Sequence, residues 1–147
     1  MIIDSHVHFW KFDPLRDSWI TEDMNIIARD FYPQDIHPEL IANTVDGCIA
    51  VQAVQNYGET AFFLALAEEN PFIKGVVGWV DLKSNDIEAQ LHSCASIKKL
   101  KGFRHIAEGH PEGFLVGDDF VRGIKSLQKH GYTYDILIRL HLSLIHI

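Results

Sequence analysis

The chain has 147 residues, 47% of them apolar and 22% charged, which fits one domain with a real core. Its net charge of −7 leaves no basic surface for general binding to nucleic acid and no attraction to an anionic membrane. No apolar run reaches the length of a membrane-spanning helix, and only three residues precede Asp4, so no signal peptide is expected. Cys48 and Cys94 stand far apart and outside any C-x-x-C pair, which reads as two reduced thiols in the cytoplasm.

The chain opens Met1-Ile2-Ile3-Asp4-Ser5-His6-Val7-His8. Ile2 to Asp4 reads as a short buried strand running into a D-x-H-x-H pattern. Strand side chains alternate with a period of two, so Asp4, His6 and His8 share one face at its end. Two imidazoles so placed can share a metal ion or grip one oxyanion. The carboxylate behind them can accept a ring N–H and orient an imidazole. Phe9 to Pro33 follows as a long irregular stretch with Trp10, Phe12, Trp19, Phe31 and Tyr32 among acids. So many aromatics predict an ordered loop, either a wall over the site or a segment merely pinned to the domain.

From Gln34 the stripe Ile36, Leu40 and Ile41 predicts a helix, with Pro38 tolerable only in its first turn. Asn43 to Gly47 is a turn. Cys48 to Val51 is an apolar strand without alternation, as in a parallel sheet covered on both faces. Glu59 to Asn70 reads as a helix and Ile73 to Val80 as the third strand. Ser84 can cap a helix with apolar Ile87, Leu91 and Cys94. Leu100 to Arg104 is the fourth strand. Asp118 and Asp119 start a helix that carries Phe120, Ile124 and Leu127 and stops at Gly131. Tyr134 to Ile138 is the fifth strand. This alternation means α/β architecture with parallel strands and helical crossovers. A doubly wound sheet would place a Gly-rich turn after the first strand, where this chain has His6 and His8. Polar residues gathered after successive strands favour a (β/α)8 barrel, whose sites lie at the C-terminal strand ends.

A barrel needs roughly 250 residues and eight strands. About five parallel strands and four helices are readable here, so the expectation is the N-terminal half of a (β/α)8 barrel over residues 1–138. Residues 139–147 are expected to be a non-native tail. Within it, Leu142-Ser143-Leu144-Ile145-His146-Ile147 reads as a translation of CTGTCTCTTATACACATC, a transposase mosaic-end adapter. On that reading His141 and His146 carry no function.

The stretches IIDSHVHFW, RDFYPQDIHPEL, DGCIAVQAVQ, GVVGWVDL, KGFRHI and HGYTYDILI, in this order, resemble the amidohydrolase superfamily. The likeness is to its amidohydrolase-related group, which includes sugar lactonases such as L-fuconolactone and L-rhamnonolactone hydrolases and also dicarboxylate lactonases. It covers about residues 1–138. The resemblance implies a barrel hydrolase acting on a small-molecule lactone, with His6 and His8 as the first-strand histidine pair. It implies either one divalent metal such as zinc, held in part by His6 and His8, or metal-independent action. Later histidines, and an aspartate base for the hydrolytic water, belong to strands beyond this chain. The alternatives are a metal-dependent decarboxylase of the same superfamily and a non-catalytic truncated fragment.

Around that pair the expected site residues are as follows. Asp4 orients an imidazole or serves as a structural hydrogen-bonder. Arg104 holds a substrate carboxylate or hydroxyls with its planar fork, and His105 hydrogen-bonds the lactone or its leaving oxygen, or each is an ion-pair partner or a satisfied core polar group. The two are sequence neighbours, so they face opposite ways unless the backbone bends. Gln52 and Gln55 bind substrate hydroxyls or brace loops. Trp79 lines the substrate site or the barrel core, and Asp81 caps a turn. His110 is a rim or turn residue, and His37, His92 and His130 lie at the surface.

Overall fold

A computed structural model describes residues 1–139 and 142. The expected tail over residues 139–147, with its adapter-like stretch, His141 and His146, lies outside these residues apart from Arg139 and Leu142. Five strands and four helices alternate: β1 (Ile3–Val7), α1 (Pro33–Ala42), β2 (Gly47–Val51), α2 (Tyr57–Glu69), β3 (Ile73–Gly78), α3 (Ile87–Cys94), β4 (Leu100–Ile106), α4 (Asp118–His130) and β5 (Thr133–Leu137). All pairings are parallel and the strand order is β1-β2-β3-β4-β5. The α/β half-barrel predicted from the alternation is therefore the observed architecture. No helix among the described residues is long and apolar enough to cross a membrane.

Strand ends and helix starts follow local chemistry. The side chain of Asn56 accepts the Glu59 N–H at 2.7 Å and starts α2 two residues earlier than the apolar pattern suggests. Gly131 ends α4 at φ 77°, a conformation that only glycine adopts freely. Pro38 lies inside α1, past its first turn, so the helix runs through the missing N–H instead of starting there. The first strand is longer than expected, and its centre is exposed rather than buried. As a sheet edge it has a neighbour only on the β2 side.

The core lies between the outer face of the sheet and the helices. Cys48 and Ala50 of β2, Val76 of β3 and Phe103 of β4 meet Phe63, Leu91, Phe120 and Leu127 there, all 2% exposed or less. Gly123 lets α4 approach the chain after β3, because a Cβ there would lie 2.2 Å from the Leu82 carbonyl oxygen. Both cysteines are free, and burial pushes the Cys48 thiol up to about 11.

The opposite face is concave. β1 and β4 are three strand spacings apart, about 14 Å across a flat sheet. Yet Arg104 Nη1 stands 3.2 Å from His6 Nε2, a contact that closes across the curl. The segment after β1 leaves this face and returns to it. Trp10 and Phe31 exchange backbone hydrogen bonds of 3.0 and 2.9 Å at its neck, with their rings 4.4 Å apart. Phe9 is buried edge-on against Phe63. The loop is thus pinned to the domain, and it also forms a wall of the site described next.

Candidate functional site

A pocket of about 550 Å³ opens at the C-terminal ends of the strands. Its floor is His6, His8 and Arg104, with Ile106 and Leu137 beside them. The loop after β1 supplies Trp10, Arg16, Trp19, Ile20 and Ile27 as an apolar wall with one guanidinium set in it. That guanidinium is neutralised within the loop: Arg16 Nε and Nη2 donate to Asp17 at 2.7 and 2.5 Å, and Nη2 also donates to the Lys11 carbonyl.

Donor and acceptor roles fix the protonation of the floor. The Val51 carbonyl lies 2.7 Å from His8 Nδ1 and can only accept, so Nδ1 carries a proton and, in the neutral imidazole, Nε2 is bare. Arg104 can only donate, so His6 Nε2 presents its lone pair to Nη1. His6 Nε2 and His8 Nε2 stand 3.1 Å apart, so two lone pairs converge on one point. Burial, the largest influence on His8, holds its imidazole below its ordinary range; Val51 opposes this, and Arg104 and His6 reinforce it. An electrophile placed between these nitrogens would relieve the clash. The pair therefore fits a divalent cation as far as two ligands go. Among the described residues no group of three or more His, Cys, Asp and Glu converges to complete such a site.

Arg104 is buried and well held. Its Nε donates to Gln52 Oε1 at 2.9 Å, and Nη2 donates to the Gln52 main-chain carbonyl. Burial pushes its pKa down, while Asp135 and Glu59 push the other way. Gln52, expected to bind substrate, is 1% exposed and stands behind Arg104 as its brace. Gln55 braces as well, with Oε1 accepting the Ile106 N–H at 2.8 Å.

Three further residues lie apart from the pocket floor or are engaged elsewhere. Asp4 takes no ring N–H: Oδ1 accepts the backbone N–H of His6 at 3.0 Å, two residues on, where a short acid reaches its own main chain first. The acceptor that orients His8 is the Val51 carbonyl. His105 faces away from the pocket, because the strand alternation sends Arg104 inward and its neighbour toward the helices. There it packs against Phe114 and Phe120, with Nε2 3.2 Å from His110 Nε2. Its Nδ1 is buried without a partner among the described residues, and burial pushes its pKa down to about 4. Trp79 lies in a separate apolar cleft between α2 and α3, 5.1 Å from the Tyr57 ring.

The remaining polar residues brace the fold. Asp81 accepts the Lys83 N–H and braces a turn. His110 stacks on Phe114 at 3.7 Å, His37 stacks on Phe72, and His130 pairs with Glu88. One acid read from the sequence only as a helix start also belongs to the pocket. Glu59 of α2 lines the cavity, and burial pushes its carboxyl up to about 7 against the N–H groups of Val54 and Ala53 and the charges of Arg16 and Arg104. Its signal was the Asn56-x-x-Glu59 spacing of a helix start placed directly after a site strand.

With this geometry described, the similarities are specific. A family model described as amidohydrolase matches residues 3–147. The chain is 38% identical over 138 residues to an L-fucono-1,5-lactonase of Burkholderia multivorans, covering 92% of this chain and 46% of that protein. It is 32% identical over 137 residues to an L-fucono-1,5-lactonase of Burkholderia ambifaria, covering 92% and 47%. A crystal structure of an amidohydrolase from Burkholderia multivorans with bound zinc superposes with a TM-score of 0.88 at 38% identity, over 94% of this chain and 49% of that one. The chain thus spans about half the length of the curated relatives it matches.

Proposed function

Because the chain belongs to the amidohydrolase family, we propose that the whole protein of which it forms about half hydrolyses the lactone of a sugar acid. The observation that carries this reading is the meeting of His6, His8 and Arg104 on the floor of one pocket. Hydrolysis requires water to attack the carbonyl carbon while negative charge grows on the carbonyl oxygen. Arg104 is desolvated and fixed by Gln52, so it is a preorganised donor for that oxygen or for a ring hydroxyl. Once the ring C–O bond breaks, the product carboxylate matches the planar guanidinium fork. His6 and His8 hold bare Nε2 atoms toward the same point, able to accept a proton or hold a cation. A zinc ion bound there supplies Lewis-acid polarisation of the carbonyl.

The proton acceptor for the attacking water is assigned to a carboxylate in the other half of the protein. Two free cysteines, one deeply buried, suit a reducing compartment such as the cytoplasm.

The test is a pH-indicator assay of the full-length protein with L-fucono-1,5-lactone and other aldonolactones. Acid release is expected, with no carbon dioxide. Full-length protein that opens no aldonolactone, or that releases carbon dioxide from an aromatic acid, removes the proposal.

A further inference from the structure

Glu59 enters the pocket from the first turn of α2. Its Oε2 accepts the Ala53 N–H at 2.9 Å, and its two oxygens take the Val54 N–H at 2.9 and 3.1 Å. These amides are the first two of the turn after Gln52. The two residues immediately before them supply the oxygens that hold His8 and the Nε and Nη2 of Arg104. The Val51 carbonyl holds His8, and the Gln52 carbonyl and side-chain oxygen hold Arg104. We infer that Glu59 is a positioning residue: its carboxylate clamps the β2–α2 turn so that Val51 and Gln52 present their oxygens to His8 and Arg104. The inference rests on the reading of this pocket as the reaction site.

The chemistry of the clamp calls for a carboxylate. Two successive N–H groups converge on one side chain, and an ionised carboxylate offers acceptors only. A glutamine could offer one oxygen to both amides, but its N–H₂ would then stand against the Val54 N–H where Oε1 now accepts. The placement is also costly, since burial pushes this acid up to about 7 even against the N–H groups of Val54 and Ala53 and the charges of Arg16 and Arg104. Starting α2 does not require it, because Asn56 already caps that end. Other acids in first helical turns, such as Asp118 and Asp119 of α4, remain at the surface.

The test reads the floor directly, without substrate. The ¹⁵N-labelled full-length protein is compared with its Glu59→Gln variant at pH 8 by long-range ¹H–¹⁵N spectra of the imidazoles and by exchange of the Arg104 Nε–H. In the wild type His8 is a single tautomer with the proton on Nδ1. Glu59→Gln is expected to give an averaged tautomer and about tenfold faster Arg104 Nε–H exchange, with a thermal midpoint shifted by only a few degrees. Asn56→Ala is expected to lower the thermal midpoint while leaving both signals in place. If Glu59→Gln does not fold, Glu59→Asp is read instead, with its shorter arm reaching fewer of the amides. An unchanged His8 tautomer and Arg104 exchange in the folded Glu59 variant overturns the inference. So does an equal change in Asn56→Ala. Failure of the full-length protein to open lactones sinks the reaction assigned to the pocket and leaves these spectra unaffected.

Discussion

Replacing His105 with leucine should give a chain that resists acid better than the wild type. Folded His105 is 8% exposed against Phe114 and Phe120, and burial, with the neighbouring His110 adding to it, pushes its pKa down to about 4. An unfolded histidine titrates near 6.5. Between those values the unfolded chain binds a proton that the native chain does not. Stability is therefore complete above about pH 6.5 and falls as the pH drops toward 4. From pH 7.5 to 5 the loss from this one group is about 2 kcal/mol. Leucine carries no proton, so that slope disappears. It also removes a buried Nδ1 that has no partner among the described residues, so the cost at pH 7.5 is about 1 kcal/mol or less. Urea unfolding of both chains at several pH values from 7.5 to 5 measures the effect, since groups common to both cancel in the difference. A difference that stays flat across that range refutes the reasoning.

Three further outcomes follow from the geometry. In the full-length protein Arg104→Met should lower lactone kcat/KM about 100-fold or more, read by acid release, with the fold retained by circular dichroism. Gly123→Ala should destabilise the chain by about 2 kcal/mol in urea, because a Cβ there meets the Leu82 carbonyl, while Gly109→Ala, with nothing within 4 Å, should cost far less. Zinc titrated into the chain at pH 8 should perturb the ring signals of His6 and His8 and leave those of His105 and His110 in place. His6→Ala should abolish the response.

Much of the fold could be read from the sequence, because hydrophobic periodicity acts locally. Ile87, Leu91 and Cys94 announce α3 by spacing alone, and the apolar run at Cys48 to Val51 announces a strand covered on both faces. The alternation rule also foretold that Arg104 and His105 would part. It could not say which of them would face inward, because that depends on the register of β4 against β3 and β5. Side-chain partners were harder to foresee. Asp4 precedes both histidines on the strand, but its carboxylate is taken by the His6 main chain. Gln52 reads as a free amide until Arg104, from β4 two strands away, is seen resting on it. Glu59 reads as an ordinary helix-start acid, since its burial is created by a loop that comes from elsewhere in the chain.

The strand order has a consequence in time. Every strand pairs with its immediate predecessor in the chain, so each pairing can close as soon as the next β-α unit is synthesised. The contact between His6 and Arg104 differs, since it joins residues 98 positions apart. The sheet can therefore grow strand by strand with its first histidines waiting at one edge. The pocket floor is assembled only when β4 arrives, in a single late step. A nascent chain halted before Leu100 would hold a formed sheet and no site, and pausing synthesis on either side of β4 would separate folding from the acquisition of chemistry.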